Sequence, residues 1–139
     1  MKELAKHFIA ELYDCDRKLL NDVSAVEQIL LKGAEAAKAT IVGHSFHHFS
    51  PHGVSGVVII AESHISVHTW PEYGYAAIDI FTCGNLTDRN SAIETIREGF
   101  KAERIMAMEM KRGFPDLPDK DIRHKPQAFS PASNNPGEG

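Results

Sequence analysis

Ser63 follows a carboxylate in a segment that also holds two histidines, a second carboxylate and, further along, a thiol. The segment reads Glu-Ser-His-Ile-Ser-Val-His-Thr-Trp-Pro-Glu over residues 62–72, and Phe-Thr-Cys-Gly follows at 81–84. A serine hydroxyl can attack the carbonyl group before it and replace the peptide bond by an ester. Elimination then breaks the chain and leaves a pyruvoyl group, an electron sink for an amine substrate. No standard cofactor motif accompanies the segment, so the pattern indicates a chain that makes its own electrophile.

Simpler interpretations stay open for the same residues. Ser63 can be a strand-end serine bonded to backbone, and His68 is either a proton acceptor that titrates near neutrality or a half-buried structural histidine. Five residues of extended chain span roughly 16 Å, so His68 cannot reach Ser63 along one straight strand. Either the chain turns sharply near Ser63, or a second copy of the protein supplies the histidine.

Four further residues are candidates for the same site. Cys83 ends a predicted strand, where a thiol can deliver a proton to a carbanion, although buried and inert cysteines are common. Phe49 is either a stacking surface for a base or a core residue. Glu72 can accept from ribose hydroxyls or pair with a cation, or it is a solvated turn residue. Ser55 is a candidate donor to an oxyanion during self-cleavage. Cys15 has no comparable surroundings and receives no role.

A cluster of histidines raises metal binding as an alternative. His44, His47 and His48 together with Cys83 could supply zinc ligands. In a strand, however, His44 and His48 point to one face and His47 to the other. The sequence contains no CxxC or HExxH motif, and we therefore expect no metal site.

Bulk composition excludes several classes of protein. A length of 139 residues with 42% apolar residues predicts one domain with a normal core. The net charge of −4 gives no basic surface for nucleic acid. The longest apolar run, 57–61, is too short for a membrane span, and no signal-peptide pattern opens the chain. Two cysteines make no disulfide framework, so we expect a cytoplasmic enzyme with one working thiol.

The elements that must position these residues follow from periodicity and turn signals. We predict strands at 7–14, 40–49, 54–61, 65–70, 75–83 and 104–111. We predict helices from Asn21 or Asp22 to about Lys38 and from Thr87 or Asp88 to about Lys101. The order β-α-β-β-β-β-α-β predicts an α+β fold with two helices on one face of an antiparallel sheet. Residues 1–112 form this domain, and we expect 113–139 to be a largely flexible tail that can include a short docked portion.

Three motifs make the sequence resemble the prokaryotic S-adenosylmethionine decarboxylases, small pyruvoyl-dependent enzymes of polyamine synthesis. These are Phe-Ser-Pro-His-Gly-Val-Ser-Gly at 49–56, Ala-Glu-Ser-His-Ile-Ser-Val-His-Thr-Trp-Pro-Glu at 61–72, and Asp-Ile-Phe-Thr-Cys-Gly at 79–84. The likeness covers about residues 3–112, and no motif position departs from the family pattern.

The resemblance implies cleavage between Glu62 and Ser63, which gives a β chain of 1–62 and an α chain of 63–139. Ser63 would become the pyruvoyl group. His68 is implied as the base that removes the serine α-hydrogen, with Ser55 assisting the cyclic intermediate.

Three more expectations come from the resemblance. Cys83 is implied as the acid that protonates the decarboxylated carbon, Phe49 as the residue that stacks on adenine, and Glu72 as the carboxylate that holds the ribose. Family members pair as dimers whose active sites contain residues of both copies. We therefore expect a homodimer of αβ units that forms a sandwich.

The leading hypothesis is self-processing followed by conversion of S-adenosylmethionine to decarboxylated S-adenosylmethionine and CO₂. The substrate amine would form a Schiff base with the pyruvoyl group, and the product would supply aminopropyl groups for spermidine synthesis. Related enzymes on this scaffold accept arginine instead, but an aromatic position at Phe49 favours a nucleoside. A non-catalytic homodimer or metal-binding module with an intact chain is the alternative from a different class.

Overall fold

A computed structural model of the protein describes residues 2–83 and 88–122. The elements in chain order are β1 (Ala5–Tyr13), α1 (Arg17–Leu20), α2 (Val23–Ala36), β2 (Ile41–His48), β3 (Val54–Ile60), β4 (Ser63–Trp70), β5 (Tyr75–Cys83), α3 (Arg89–Phe100) and β6 (Arg104–Arg112). Short 3₁₀ turns lie at Pro71–Tyr73 and Asp119–Asp121. The strands form one six-stranded antiparallel sheet in the order β2-β3-β4-β5-β1-β6. The predicted α+β class is confirmed.

Two differences from the sequence-based prediction matter for the site, one in a strand boundary and one in an additional helix. Strand β4 begins at Ser63 rather than at residue 65, so Ser63 belongs to the strand itself. Helix α1, a four-residue helix, is an addition that the periodicity did not predict. Of the expected tail, residues 113–122 include the turn at Asp119–Asp121 and a buried Ile122. Residues 123–139 lie outside the described residues.

Carboxylate caps fix where the two long helices begin. Asp22 accepts a hydrogen bond from the Ala25 backbone N–H at 3.1 Å at the start of α2. Asp88 does the same for Ser91 at 3.0 Å at the start of α3, and hydrogen bonds from Ser91 hold the pKa of Asp88 below its usual value. Asp22 and Asp88 were each one of two predicted caps, and Thr87, the other candidate for α3, lies outside the described residues.

The core lies between the two long helices and one face of the sheet. Val26 and Leu30 of α2 and Ile96 and Phe100 of α3 are fully buried. Each such side chain stabilises the fold by roughly 1.5–3 kcal/mol relative to an exposed position. Strand β5 alternates strictly, with its even-numbered residues buried and its odd-numbered residues half-buried. Both predicted long helices therefore pack an apolar face against the sheet.

The described helices leave the opposite face of the sheet uncovered. This open face contains His7, Ile9, Ser55, Ile59, His68, Trp70, Asp79, Met106, Met108 and Met110. Strand β6 is exposed along all nine of its residues, and Met108 is 61% exposed. An antiparallel sheet can keep one face in water, but an apolar patch on such a face is typical of an interaction surface. Within the described ranges, no helix is long and apolar enough to cross a bilayer.

Candidate active site

Ser63 is the first residue after a tight hairpin turn. Residues Ala61 and Glu62 make the turn between β3 and β4, and Ile60 pairs with Ser63 across it. Glu62 has a φ of 64°, in the left-handed region that costs a non-glycine residue roughly 1–2 kcal/mol. The peptide bond between Glu62 and Ser63 therefore adjoins a strained residue.

The Ser63 hydroxyl is directed at the peptide bond that precedes it. Its Oγ donates to the Glu62 carbonyl oxygen at 2.7 Å and accepts from the Cys83 backbone N–H at 3.3 Å. The hydroxyl therefore lies beside the carbonyl group that it would attack, which is the proximity that an acyl shift requires. A purely structural strand-end serine makes the same kind of contact, so the surrounding chemistry must distinguish the two interpretations.

Cys83 reaches Ser63 from the neighbouring strand. Thr82 pairs with Ser63 across β4 and β5, which places the next residue, Cys83, beside the hairpin. Cys83 is a free, half-buried thiol, whereas Cys15 is free and buried. Burial and the nearby Asp14 carboxylate raise the pKa of Cys15 to about 11, which disfavours its reactive thiolate form.

Ser55 and His68 form a second group at the other end of these strands. They are direct partners in the register of β3 and β4. The Ser55 hydroxyl and His68 Nδ1 are 2.7 Å apart. An imidazole bonded to a hydroxyl in this way has a fixed ring orientation and leaves Nε2 available for another partner.

A cleft of about 400 Å³ opens beside this pair, with Phe49 and Glu72 in its lining. Phe49 is 47% exposed, so the alternative of a core phenylalanine is wrong. The His47 ring contacts it edge-on at 4.5 Å between centroids. Glu72 is more than a solvated turn residue, because its Oε1 lies 3.2 Å from His52 Nε2. A stacking surface and a fixed carboxylate therefore share one cleft.

The two groups lie at opposite ends of β4. Ser63 and His68 belong to one strand without a break, and five residues of strand span roughly 16 Å. The chain turns at Ala61 and Glu62, before Ser63 and not between Ser63 and His68. A sharp turn that would bring these two residues together is therefore excluded. Within one chain, Ser63 lies with Cys83, and His68 lies with the cleft.

The histidines weighed as alternative metal ligands make separate contacts. Across residues 2–83 and 88–122 no group of three or more His, Cys, Asp or Glu side chains is placed to hold a metal ion. His44 Nδ1 lies 2.7 Å from a carboxylate oxygen of Glu27, and His48 Nε2 lies 2.9 Å from Asn21 Oδ1. These contacts account for two of the three strand histidines.

Sequence reasoning missed a polar network in the middle of the open face. His7 Nε2 lies 3.0 Å from Asp79 Oδ1, and the Ser66 hydroxyl donates to Asp79 Oδ2 at 3.3 Å. The Tyr75 hydroxyl donates to Glu11 at 2.5 Å, and burial together with this carboxylate raises the pKa of Tyr75. The alternation of β5 was a usable signal for Asp79, which shares its face with Cys83. Nothing in the sequence paired it with His7, which is 72 residues away.

Comparison with known proteins finds relatives that match most of the chain. A family model for S-adenosylmethionine decarboxylase matches residues 6–113. The S-adenosylmethionine decarboxylase proenzyme of Acidithiobacillus ferrooxidans is 48% identical over 129 residues, covering 91% of this chain and 97% of the relative. That of Thermotoga maritima is 51% identical over 128 residues, covering 90% and 98%.

Two solved structures have the same fold as this chain. The crystal structure of the adenosylmethionine decarboxylase from Aquifex aeolicus has a TM-score of 0.77 and 32% identity, and the match covers 88% of this chain and 100% of that one. The Trypanosoma brucei AdoMetDC-delta26 monomer shares the fold at a TM-score of 0.54 and 18% identity, with 73% and 44% covered. From its motifs, its fold and these relatives, the chain belongs to the S-adenosylmethionine decarboxylase family.

Proposed function

We propose that the protein cleaves itself before Ser63 and then decarboxylates S-adenosylmethionine with the pyruvoyl group that Ser63 becomes. The observation that carries this proposal is the Ser63 hydroxyl, 2.7 Å from the carbonyl oxygen of the strained Glu62. The backbone N–H of Cys83, the proposed proton donor, bonds to the same hydroxyl. Membership of the family supports the reaction class.

Self-cleavage would proceed through the Ser63 side chain. Its Oγ attacks the Glu62 carbonyl carbon, the C–N bond breaks, and an ester replaces the peptide bond. A base then removes the Ser63 α-hydrogen, and the Glu62 carboxylate leaves with Oγ. Addition of water and loss of ammonia complete the change to a pyruvoyl group at the new N-terminus. Relief of the left-handed Glu62 conformation favours the cleaved product.

His68 is the proposed base, and its contact with Ser55 specifies how it would act. For Nε2 to accept a proton, Nδ1 must hold the ring hydrogen and donate it to the Ser55 hydroxyl, 2.7 Å away. Ser55 would assist by accepting this proton, which leaves Nε2 unprotonated and able to act as a base.

The base must come from a second copy of the protein. Within one chain His68 lies roughly 16 Å along the strand from Ser63, far beyond the reach of a proton transfer. The open face supports pairing, because it presents exposed Ile59, Met106 and Met108 together with Ser55 and His68. A two-fold sandwich of two open faces would complete two sites at once, each with Ser63 from one chain and the partner's His68.

The substrate would bind in the cleft next to Phe49. Its exposed ring offers a stacking surface for adenine, and Glu72 offers carboxylate oxygens to the ribose hydroxyls. The pyruvoyl group supplies a carbonyl that withdraws electrons from the bound amine when CO₂ leaves. Cys83 then delivers a proton to the carbon that lost CO₂. The product retains the aminopropyl group that spermidine synthesis requires.

Turnover assays test the proposal and its choice of substrate. The purified protein should release CO₂ from carboxyl-labelled S-adenosylmethionine and not from labelled arginine, while Ser63→Ala should release none from either. Release from arginine alone would overturn the substrate, and release from neither by a fully cleaved protein would overturn the activity.

A further inference from the structure

Asn21 holds both ends of the loop between β2 and β3 through a single oxygen. Its Oδ1 accepts from the Gly53 backbone N–H at 3.0 Å and from His48 Nε2 at 2.9 Å. Because a backbone N–H only donates, the amide atom that faces Gly53 must be the oxygen. The His48 ring therefore bonds through a proton on Nε2. One side chain thus joins the residue before Phe49 to the residue after His52.

This loop, residues 49–53, presents the side chains of Phe49, Pro51 and His52 to the cleft. Phe49 provides the exposed ring, and His52 contacts the Glu72 carboxylate at 3.2 Å. The backbone closes the loop as well, since Phe49 N–H donates to the Gly53 carbonyl at 2.8 Å. A shift of the loop backbone would therefore move the Phe49 ring together with His52, which contacts the Glu72 carboxylate.

Asn21 is attached to a rigid part of the fold. The residue before it, Leu20, is fully buried. The Leu20 carbonyl accepts from the Thr69 hydroxyl at 2.8 Å, and the same hydroxyl accepts from the Val54 backbone N–H at 2.9 Å. Thr69 follows His68 in β4. The contacts of Asn21 and Leu20 therefore connect the loop to β4, the strand that carries the proposed processing base.

We propose that Asn21 is a positioning residue of the nucleoside half-site, defined as the cleft with Phe49, His52 and Glu72. This inference rests on the proposed function, because it assigns Asn21 to the binding of adenine and ribose. Asn21 touches neither Ser63 nor Cys83 among its described contacts. Its loss should therefore weaken substrate binding and leave self-cleavage and kcat unchanged.

The test compares Asn21→Ala with Asn21→Asp, which keeps an acceptor for Gly53 and His48. Asn21→Ala should raise KM for S-adenosylmethionine about threefold to tenfold, the range expected for loss of neutral hydrogen bonds. It should raise by a similar factor the calorimetric Kd for 5′-methylthioadenosine, a probe that keeps the adenine and ribose and lacks the carboxylate. Asn21→Asp should restore both values to within about twofold.

Asp22→Ala is the matched control. It removes the neighbouring α2 cap and should lower thermal stability, with KM and Kd unchanged. If Asn21→Ala binds the probe as tightly as the unsubstituted protein, or if Asp22→Ala weakens binding equally, the inference is overturned while the proposed function stands. If the unsubstituted protein neither cleaves itself nor binds the probe, the proposed function fails, and this inference fails with it.

Discussion

Ser63 is the first residue of strand β4, and His68 lies near the other end of the same uninterrupted strand. Ser63 contacts Cys83, and His68 contacts Ser55. Strand geometry separates the two residues by roughly 16 Å. A reaction that uses both must therefore assemble from two chains. Each chain would then carry two half-sites, one with Ser63 and one with His68.

Mixing two inactive variants tests the half-sites directly. Ser63→Ala cannot form the ester, and His68→Ala lacks the base, so neither should cleave when it is expressed alone. Co-expression should restore cleavage of the His68→Ala chain, because its Ser63 would meet the partner's His68. Mass spectrometry of tagged chains measures which one is cut. Heterodimers that form and stay uncut would show that the two half-sites do not meet.

Cys83→Ala should separate processing from turnover. The thiol is proposed to protonate the product carbon, whereas self-cleavage needs the Ser63 hydroxyl and a base. We expect partial or complete cleavage and a fall in kcat of about 10²- to 10⁴-fold, the usual contribution of a positioned acid. Single-turnover assays on the cleaved protein measure this. Cys15→Ala is the matched control and should retain kcat; full activity in Cys83→Ala would remove Cys83 from the mechanism.

Phe49→Ala should weaken binding of substrate. Stacking of an aromatic side chain on a base contributes about 1–3 kcal/mol, so KM and the Kd of a nucleoside probe should rise about 5- to 150-fold. Phe49→Tyr retains the stacking surface and should bind nearly as tightly as the unsubstituted protein. Unchanged affinity in Phe49→Ala would place the adenine elsewhere.

Cys15 should make stability depend on alkaline pH. Burial and Asp14 raise its pKa from 9.0 to about 11 in the folded protein. The folded state therefore keeps a proton that the unfolded chain releases, so this stability is complete below pH 9 and is lost as the pH rises toward about 11. Tyr75, whose pKa is also raised, acts in the same direction at higher pH.

Urea unfolding at pH 7.5, 9.5 and 10.5 measures this effect. The free energy of unfolding should fall more steeply with pH in the unsubstituted protein than in Cys15→Ala. Parallel curves for the two proteins would contradict the assignment of the titration to Cys15.

Local signals were sufficient for the elements and insufficient for their pairing. The alternation of residues 75–83 predicted strand β5, and the acidic residue before α3 predicted its cap, because both signals lie within a few residues. Helix α1 is too short to show a helical period. The contact of Ser55 with His68 depends on the register of β3 and β4, which the hairpin at Ala61 and Glu62 sets.

Contacts between distant segments could not be predicted from the sequence, because they also depend on how the elements pair. Asn21 meets Gly53 across 32 residues, and Ser63 meets Cys83 across 20, so neither pair has a pattern that a window of sequence can show. The hypothesis for Ser63, by contrast, came from residue types, because a carboxylate, a serine and a histidine stand close together in the chain.

Intact mass under denaturing conditions tests the central claim most directly. We predict two fragments that divide between Glu62 and Ser63, with a pyruvoyl group at the start of the second, and a single uncut chain for Ser63→Ala. One unbroken chain of 15.4 kDa after prolonged incubation of the unsubstituted protein would contradict the account.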